Sequence, residues 1–281
     1  MGELLALASA VCYGISDFAG GMLSRRASFI AVALIGQIGG FLLALVVALA
    51  TTSEPSCLAD LGWGAVSGVG TGIGMMFLFR GLSRGAMSVV VPISAVGGVA
   101  LPVLVGVALL GSRPTPLAWL GIALVLPALW LVSRTRDVVV GQVGADTIDA
   151  LIASAGIALQ YVALAQAGSQ SGLWPVVAGR VAATATIALL ALPVGAGLRL
   201  RLPVRHALLA AATGGSAALA LVCYLLATHD QLMVIAVVLS SLYPVIPVLL
   251  GVSVLRESLS WRQAAGLVCA GSAIALIAAA G

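Results

Sequence analysis

Apolar residues run in stretches of about 20 along most of the chain, broken by short segments where Arg, Asp, Glu, Gly and Pro collect. A stretch of that length suits an α-helix crossing a bilayer, whereas a transmembrane barrel would show alternating segments of about ten residues. The pattern predicts an all-α polytopic membrane protein with ten transmembrane helices. They fall over residues 3–23, 29–50, 61–82, 87–110, 116–133, 148–167, 173–193, 206–227, 231–255 and 262–280. One longer polar stretch, Ser133 to Asp149, holds Arg134, Arg136, Asp137, Asp146 and Asp149 and divides the spans into two sets of five. The expected organisation is a five-helix unit at 1–134, a connecting loop at 135–147 and a second five-helix unit at 148–281.

The two units repeat one another. Residues 102–110 and 247–255 are identical at Pro102/Pro247, Val103/Val248, Leu104/Leu249, Gly106/Gly251, Val107/Val252 and Leu110/Leu255, an offset of 145. Both copies lie late in the fourth span of their unit. The same offset aligns Phe79 with Tyr224, Thr115 with Ser260 and Gly121 with Gly266. With five spans per unit, the second copy must enter the membrane from the opposite side. The expected architecture is therefore a pair of inverted five-helix repeats, a plan shared by several transporter folds.

Composition agrees with lipid as the main solvent: 62% of residues are hydrophobic and 8% charged. The net charge of +4 comes from arginine alone, since the chain has no lysine. Arg25, Arg26, Arg80, Arg84, Arg134, Arg136, Arg199, Arg201, Arg205, Arg256 and Arg262 fall in odd-numbered loops, and Arg113 in an even one beside Glu54, Asp60 and Asp230. That asymmetry places the odd loops in the cytoplasm and both termini outside. Scattered single arginines do not make a nucleic-acid patch, so no nucleic-acid partner is expected. The first apolar segment lacks a basic start and runs on into Arg25-Arg26, which predicts a retained helix rather than a cleaved signal.

Few residues inside the spans carry chemistry. Asp17 in span 1 is the most unusual, because a carboxylate in hydrocarbon costs several kcal/mol without a partner or a wet cavity. It is a candidate for solute binding and proton coupling. The alternative is a carboxylate near the interface, pairing with Arg25 or Arg26 or capping a helix break at Gly20-Gly21. Arg180 in span 7 reads either as an anion site or counter-ion for Asp17, or as a structural ion, with Gln37 at about the matching place in the first unit. The structural role is favoured. Pro92 and Pro102 in span 4, and Pro244 and Pro247 in span 9, each remove a backbone donor and are expected to kink their helices. Kinked helices at matching places in two repeats point to a transport pathway. Ser94, Ser240, Ser241 and Tyr243 nearby, with Tyr13, Ser16, Gln160, Tyr161 and Tyr224 in spans 1, 6 and 8, are candidate solute-binding groups. The expected lining is spans 1, 3, 4, 6, 8 and 9.

Span 3 carries Gly64, Gly68 and Gly72 at intervals of four, and Gly70 and Gly74 likewise, a spacing for close helix approach in lipid. No Gly-Lys-Ser/Thr follows, so a nucleotide-binding loop is rejected. Cys12, Cys57, Cys223 and Cys269 show no metal spacing, and His206 and His229 lack partners. No metal, cofactor or catalytic cluster is expected.

Ten spans in two halves, with the shared Pro-Val motif late in span 4 of each, resemble the EamA family of the drug/metabolite transporter superfamily. The second half is similar to the family pattern at Glu257, Ser260 and Gly266. The first half keeps Thr115 and Gly121 but has Ser112 in place of the acid. Tyr13-Gly14 resembles the family's early aromatic-Gly signature, and Arg180 its second-span arginine. On this resemblance Glu257 joins Arg180 as a structural ion, and the two units become EamA-like repeats. It implies a secondary-active exporter of a small metabolite, amino acid or toxic compound, not an enzyme, working by alternating access around a central cavity. The alternatives are a flippase for lipids or lipid-linked sugars and, behind it, an intramembrane enzyme. The expected partners are a small-molecule solute, membrane lipid and a coupling proton, with oligomerisation not required. The expected location is a bacterial inner membrane.

Overall fold

A computed structural model describes residues 1–24, 26–51, 57–83, 87–133, 143–192, 202–253 and 260–280. Among them the regular structure is helical: α1 (Gly2–Ser24), α2 (Phe29–Thr51), α3 (Leu58–Ser83), α4 (Met87–Ala108), α5 (Pro116–Ser133), α6 (Val143–Leu164), α7 (Trp174–Ala191), α8 (Val204–Asp230), α9 (Met233–Ser240), α10 (Val245–Ser253) and α11 (Trp261–Ala278). Eight segments are long and apolar enough to cross a membrane, Met233–Leu250 across α9 and α10 among them, with shorter apolar helical segments at Ile93–Ala108 and Pro116–Val132. Large apolar side chains such as Leu42, Val46, Leu104, Leu120, Leu208 and Val268 face outward. Water would not tolerate that much exposed hydrocarbon, and lipid does. The chain is a multi-pass membrane protein.

Nine expected spans correspond to one helix each, and the ninth is broken in two. The chain leaves α9 through bonds from Ser241 N to Val237 O (2.9 Å) and Leu242 N to Leu239 O (3.2 Å). It enters α10 through bonds from Val245 N to Leu242 O (3.0 Å) and Ile246 N to Tyr243 O (3.1 Å). This tightening to three-residue turns accommodates Pro244, which has no N–H to give. The first repeat differs. α4 runs as one helix from Met87 to Ala108 with Pro92 and Pro102 inside it, whereas the corresponding span of the second repeat is divided into two helices. Pro92 and Pro102 stand ten residues apart. Pro244 and Pro247 remove donors within one turn, and there the helix gives way.

A second departure lies at α6, which begins at Val143 inside the expected connecting loop. Asp149, already inside the expected span 148–167, lies more than a turn into this helix and is 2% exposed. Arg80 at the end of α3 receives it side-on: its Nε donates to Asp149 Oδ2 at 2.9 Å and its Nη2 to Oδ1. With its charge met, the carboxylate no longer forces the helix to stop.

The helices of the two halves are interleaved. α3 packs on α6 and α7, and α8 packs on α1 and α2. α4 packs on α6, and α9 with α10 on α1, while α2 meets α7 and α5 meets α11. Exchanging the halves maps this pattern onto itself. The tightest crossings are made by glycine: a Cβ added to Gly68 would meet the backbone of Gly179, and one added to Gly214 the backbone of Gly36. The glycine spacing of span 3 is thus used for helix approach, as expected from small-residue packing in lipid.

Candidate functional site

A partly open cavity lies where these crossings leave space between the halves. Its walls come from α1 (Tyr13, Ser16, Asp17), α2 (Gln37), α3 (Thr71 to Phe79), α6 (Ile157, Gln160, Tyr161), α7 (Arg180), α8 (Gly214, Ala217) and the α9–α10 break (Tyr243). α3 contributes only its second half, so the cavity extends from mid-helix toward the end bearing Arg80.

The four tyrosines of the chain join in one chain of rings. Tyr13 lies 6.3 Å from Tyr161 and 6.2 Å from Tyr243, and Tyr161 lies 4.7 Å from Tyr224, in edge-on or tilted arrangements that suit aromatic quadrupoles. Tyr224 is the buried anchor: its hydroxyl donates to Tyr161 O at 2.9 Å and does not line the cavity. Tyr13 is held by Gln160, whose Nε2 donates to the phenol oxygen at 2.8 Å while its Oε1 accepts from Thr71 Oγ1 at 2.7 Å. The Tyr13 O–H proton therefore remains available for another acceptor.

Two opposite charges face the same cavity. Asp17 lines it with no hydrogen-bond or ion-pair partner among the described residues. α1 is continuous through Gly20 and Gly21, so the helix break that would have placed Asp17 at a cap does not exist. Arg25 lies outside the described residues, and no bond joins Asp17 to Arg26. Arg180 is 2% exposed, with Nη1 donating to Gln37 Oε1 at 3.2 Å and Gln37 Nε2 donating in turn to Met75 Sδ at 3.2 Å. Its stem runs beside Gly40, where an added Cβ would come within 3.4 Å of Arg180 Cδ. Arg180 Nε and Nη2 meet no acceptor among the described residues. Asp17 and Arg180 form no ion pair with each other; the described ion pair is Arg80–Asp149.

Six of the ten candidate solute-binding residues line the cavity: Tyr13, Ser16, Asp17, Gln160, Tyr161 and Tyr243. Ser16 also donates to Thr213 O at 2.9 Å. Four are elsewhere. Tyr224 supports Tyr161, Ser240 donates to Ala6 O at 3.2 Å, the Ser241 hydroxyl is buried at the helix break without a partner among the described residues, and Ser94 is fully buried in α4. Span 4 was expected to line the pathway, and none of its described side chains does; spans 2 and 7 do, through Gln37 and Arg180. The sequence signal for those two was their polarity inside apolar spans. Glu257 lies outside the described residues.

At the end of the bundle away from the cavity, hydrogen bonds join α3 to the α6–α7 connection. Asp60 accepts from Gly168 N at 2.9 Å and Ser171 Oγ at 2.6 Å, and Cys57 N donates to Ser171 Oγ at 3.0 Å. These bonds fasten the start of α3 to the α6–α7 connection. With Arg80 on Asp149 at its other end, α3 is fixed to the second half at both ends.

Comparison with known proteins adds three findings. The model of the EamA-like transporter family matches residues 1–134. A solved crystal structure, 20% identical in sequence, superposes with a TM-score of 0.73 over 98% of this chain and 95% of its own. At that identity the likeness shows a shared fold alone. A comparison with curated proteins returns no match.

Proposed function

The chain belongs, by its residues 1–134, to the EamA-like transporter family, and from that premise we propose that it is a secondary-active carrier, an exporter of a small organic solute. The observation that carries this reading is the partly open, largely apolar cavity between the two halves, with Asp17 and Arg180 in its wall and no ion pair between them. Polar groups of that kind are retained inside a membrane where a solute or ion passes. The second half is read as a divergent, inverted copy of the first, giving ten spans. The exchange symmetry of the helix packing and the 145-residue repeat support that reading. In this architecture the halves rock around a midplane site, and the break at Ser241–Pro244 supplies a hinge.

The arginine distribution puts the end bearing Arg80 in the cytoplasm, so the cavity is open inward and the Asp60–Ser171 fastening closes the outer side. An exporter waiting for its solute has this form. Cys57 is exposed beside that fastening, whereas Cys12, Cys223 and Cys269 are only partly exposed and lie in helices. A membrane-impermeant maleimide added to intact cells is expected to label Cys57. Labelling that appears only after lysis would reverse the orientation.

The carrier reading is tested in proteoliposomes with labelled candidate solutes, with and without an imposed pH gradient. Saturable flux that depends on the protein is expected. Its absence across amino acids, organic acids and cationic toxicants would overturn the reading.

A further inference from the structure

The open edge of Arg180 specifies the solute further. We infer that the cavity binds its solute through a carboxylate group, held side-on by Nε and Nη2 of Arg180. The inference rests on the carrier reading of the same cavity.

The argument starts from which nitrogens are satisfied. Nη1 is taken by Gln37, while Nε and Nη2 have no acceptor among the described residues and are sealed from the outside. Nε and Nη2 are neighbours on one edge of the planar guanidinium, with parallel N–H bonds at the spacing of two carboxylate oxygens. Arg80 shows the same edge in use, with Nε and Nη2 on the two oxygens of Asp149. Arg180 therefore presents, empty-handed, the edge that Arg80 presents to a carboxylate.

Charge strengthens the case. A buried guanidinium without a counter-charge is costly, and water in the cavity can satisfy N–H groups but cannot neutralise them. Asp17 shares the cavity but forms no ion pair with Arg180. Gln37 is neutral, and its own amide is committed to Met75, so it orients the guanidinium without cancelling its charge. Gln37 is a positioning residue here. The remaining wall suits an apolar or aromatic body attached to the carboxylate, since the rings of Tyr13, Tyr161 and Tyr243 line it.

The test compares two probes of one shape, 3-phenylpropionate and 3-phenylpropanamide, by their effect on the thermal unfolding of the full chain in detergent. The carboxylate is expected to bind the native protein about tenfold or more tightly than the amide, as befits a charge-assisted bidentate pair. Arg180→Gln is expected to remove that preference, and Arg180→Lys, which keeps the charge without the fork, to weaken it. Arg262→Gln at an exposed position of α11 is expected to retain it. Equal binding of the two probes by the native protein would overturn the inference, even if the Arg180 variants fail to fold. So would an Arg180→Gln protein that discriminates as the native one does. Inorganic phosphate and phosphatidylglycerol serve as further arms, and stabilisation by either equal to that of the carboxylate would also overturn it. Carboxylate binding without any transport would sink the carrier reading and leave this inference standing. Transport with no preference for carboxylates would do the reverse.

Discussion

Gly68→Val is expected to leave little folded protein in the membrane, while Gly62→Val on the same helix is tolerated. A Cβ at Gly68 would be driven into the carbonyl, Cα and carbonyl carbon of Gly179, all backbone atoms that no rotamer change can move aside. At Gly62 nothing lies within 4 Å. Overpacking a tight contact costs about 1–3 kcal/mol where side chains can adjust, and more is expected where two helix backbones must part. Separation of α3 from α7 would also pull on α6, because α3 packs on both. Gly214→Val, which meets the Gly36 backbone at the α2–α8 crossing, is expected to match Gly68→Val in severity. Yield of monodisperse protein and the thermal midpoint in detergent read the effect. Normal yield and midpoint for Gly68→Val would show that the crossing is looser than it looks.

That contrast also shows how much of the fold the sequence makes legible. Glycines four apart in an apolar span announce a close crossing, because in lipid little else explains them. They do not say which helix is crossed, and Gly68 finds its partner more than one hundred residues away in the other half. The tyrosines behave alike. Each stands out as a polar group in an apolar span, yet the ring chain that joins Tyr13, Tyr161, Tyr224 and Tyr243 exists only once the halves are interleaved. The prolines say less than the tyrosines for a physical reason. A proline marks a weak point in a backbone, not the direction in which its helix faces, and none of the described side chains of α4 lines the cavity. Asp149 is a different case: it falls inside the expected span 148–167, but its counter-charge Arg80 lies 69 residues away in sequence and is found only in the fold. Gln37 and Arg180 are found as matching anomalies of the two repeats. Their bond to each other follows from the exchange symmetry, since equivalent residues of α2 and α7 that touch must lie near the axis relating the halves.

Asp17→Asn is expected to disconnect transport from the proton gradient without abolishing solute binding. Among the described residues Asp17 is the carboxyl in the cavity wall, and it has neither a hydrogen-bond nor an ion-pair partner there. A structural carboxylate inside a membrane is normally paired, as Asp149 is with Arg80; one left facing a cavity is placed to exchange a proton with it. Asparagine keeps the size and much of the hydrogen bonding of the acid and cannot carry the proton. Coupling requires that the gradient act differently on two states of the carrier, and a group that never changes charge gives it nothing to act on. In proteoliposomes the native protein is expected to change its net solute flux when a pH gradient is imposed. For Asp17→Asn, flux should equal that of gradient-free vesicles, while exchange of labelled for unlabelled solute persists. Retained exchange separates lost coupling from lost folding or lost binding. A variant that still follows the gradient at every pH would remove Asp17 from the coupling role and leave the proton, if one moves, to another group.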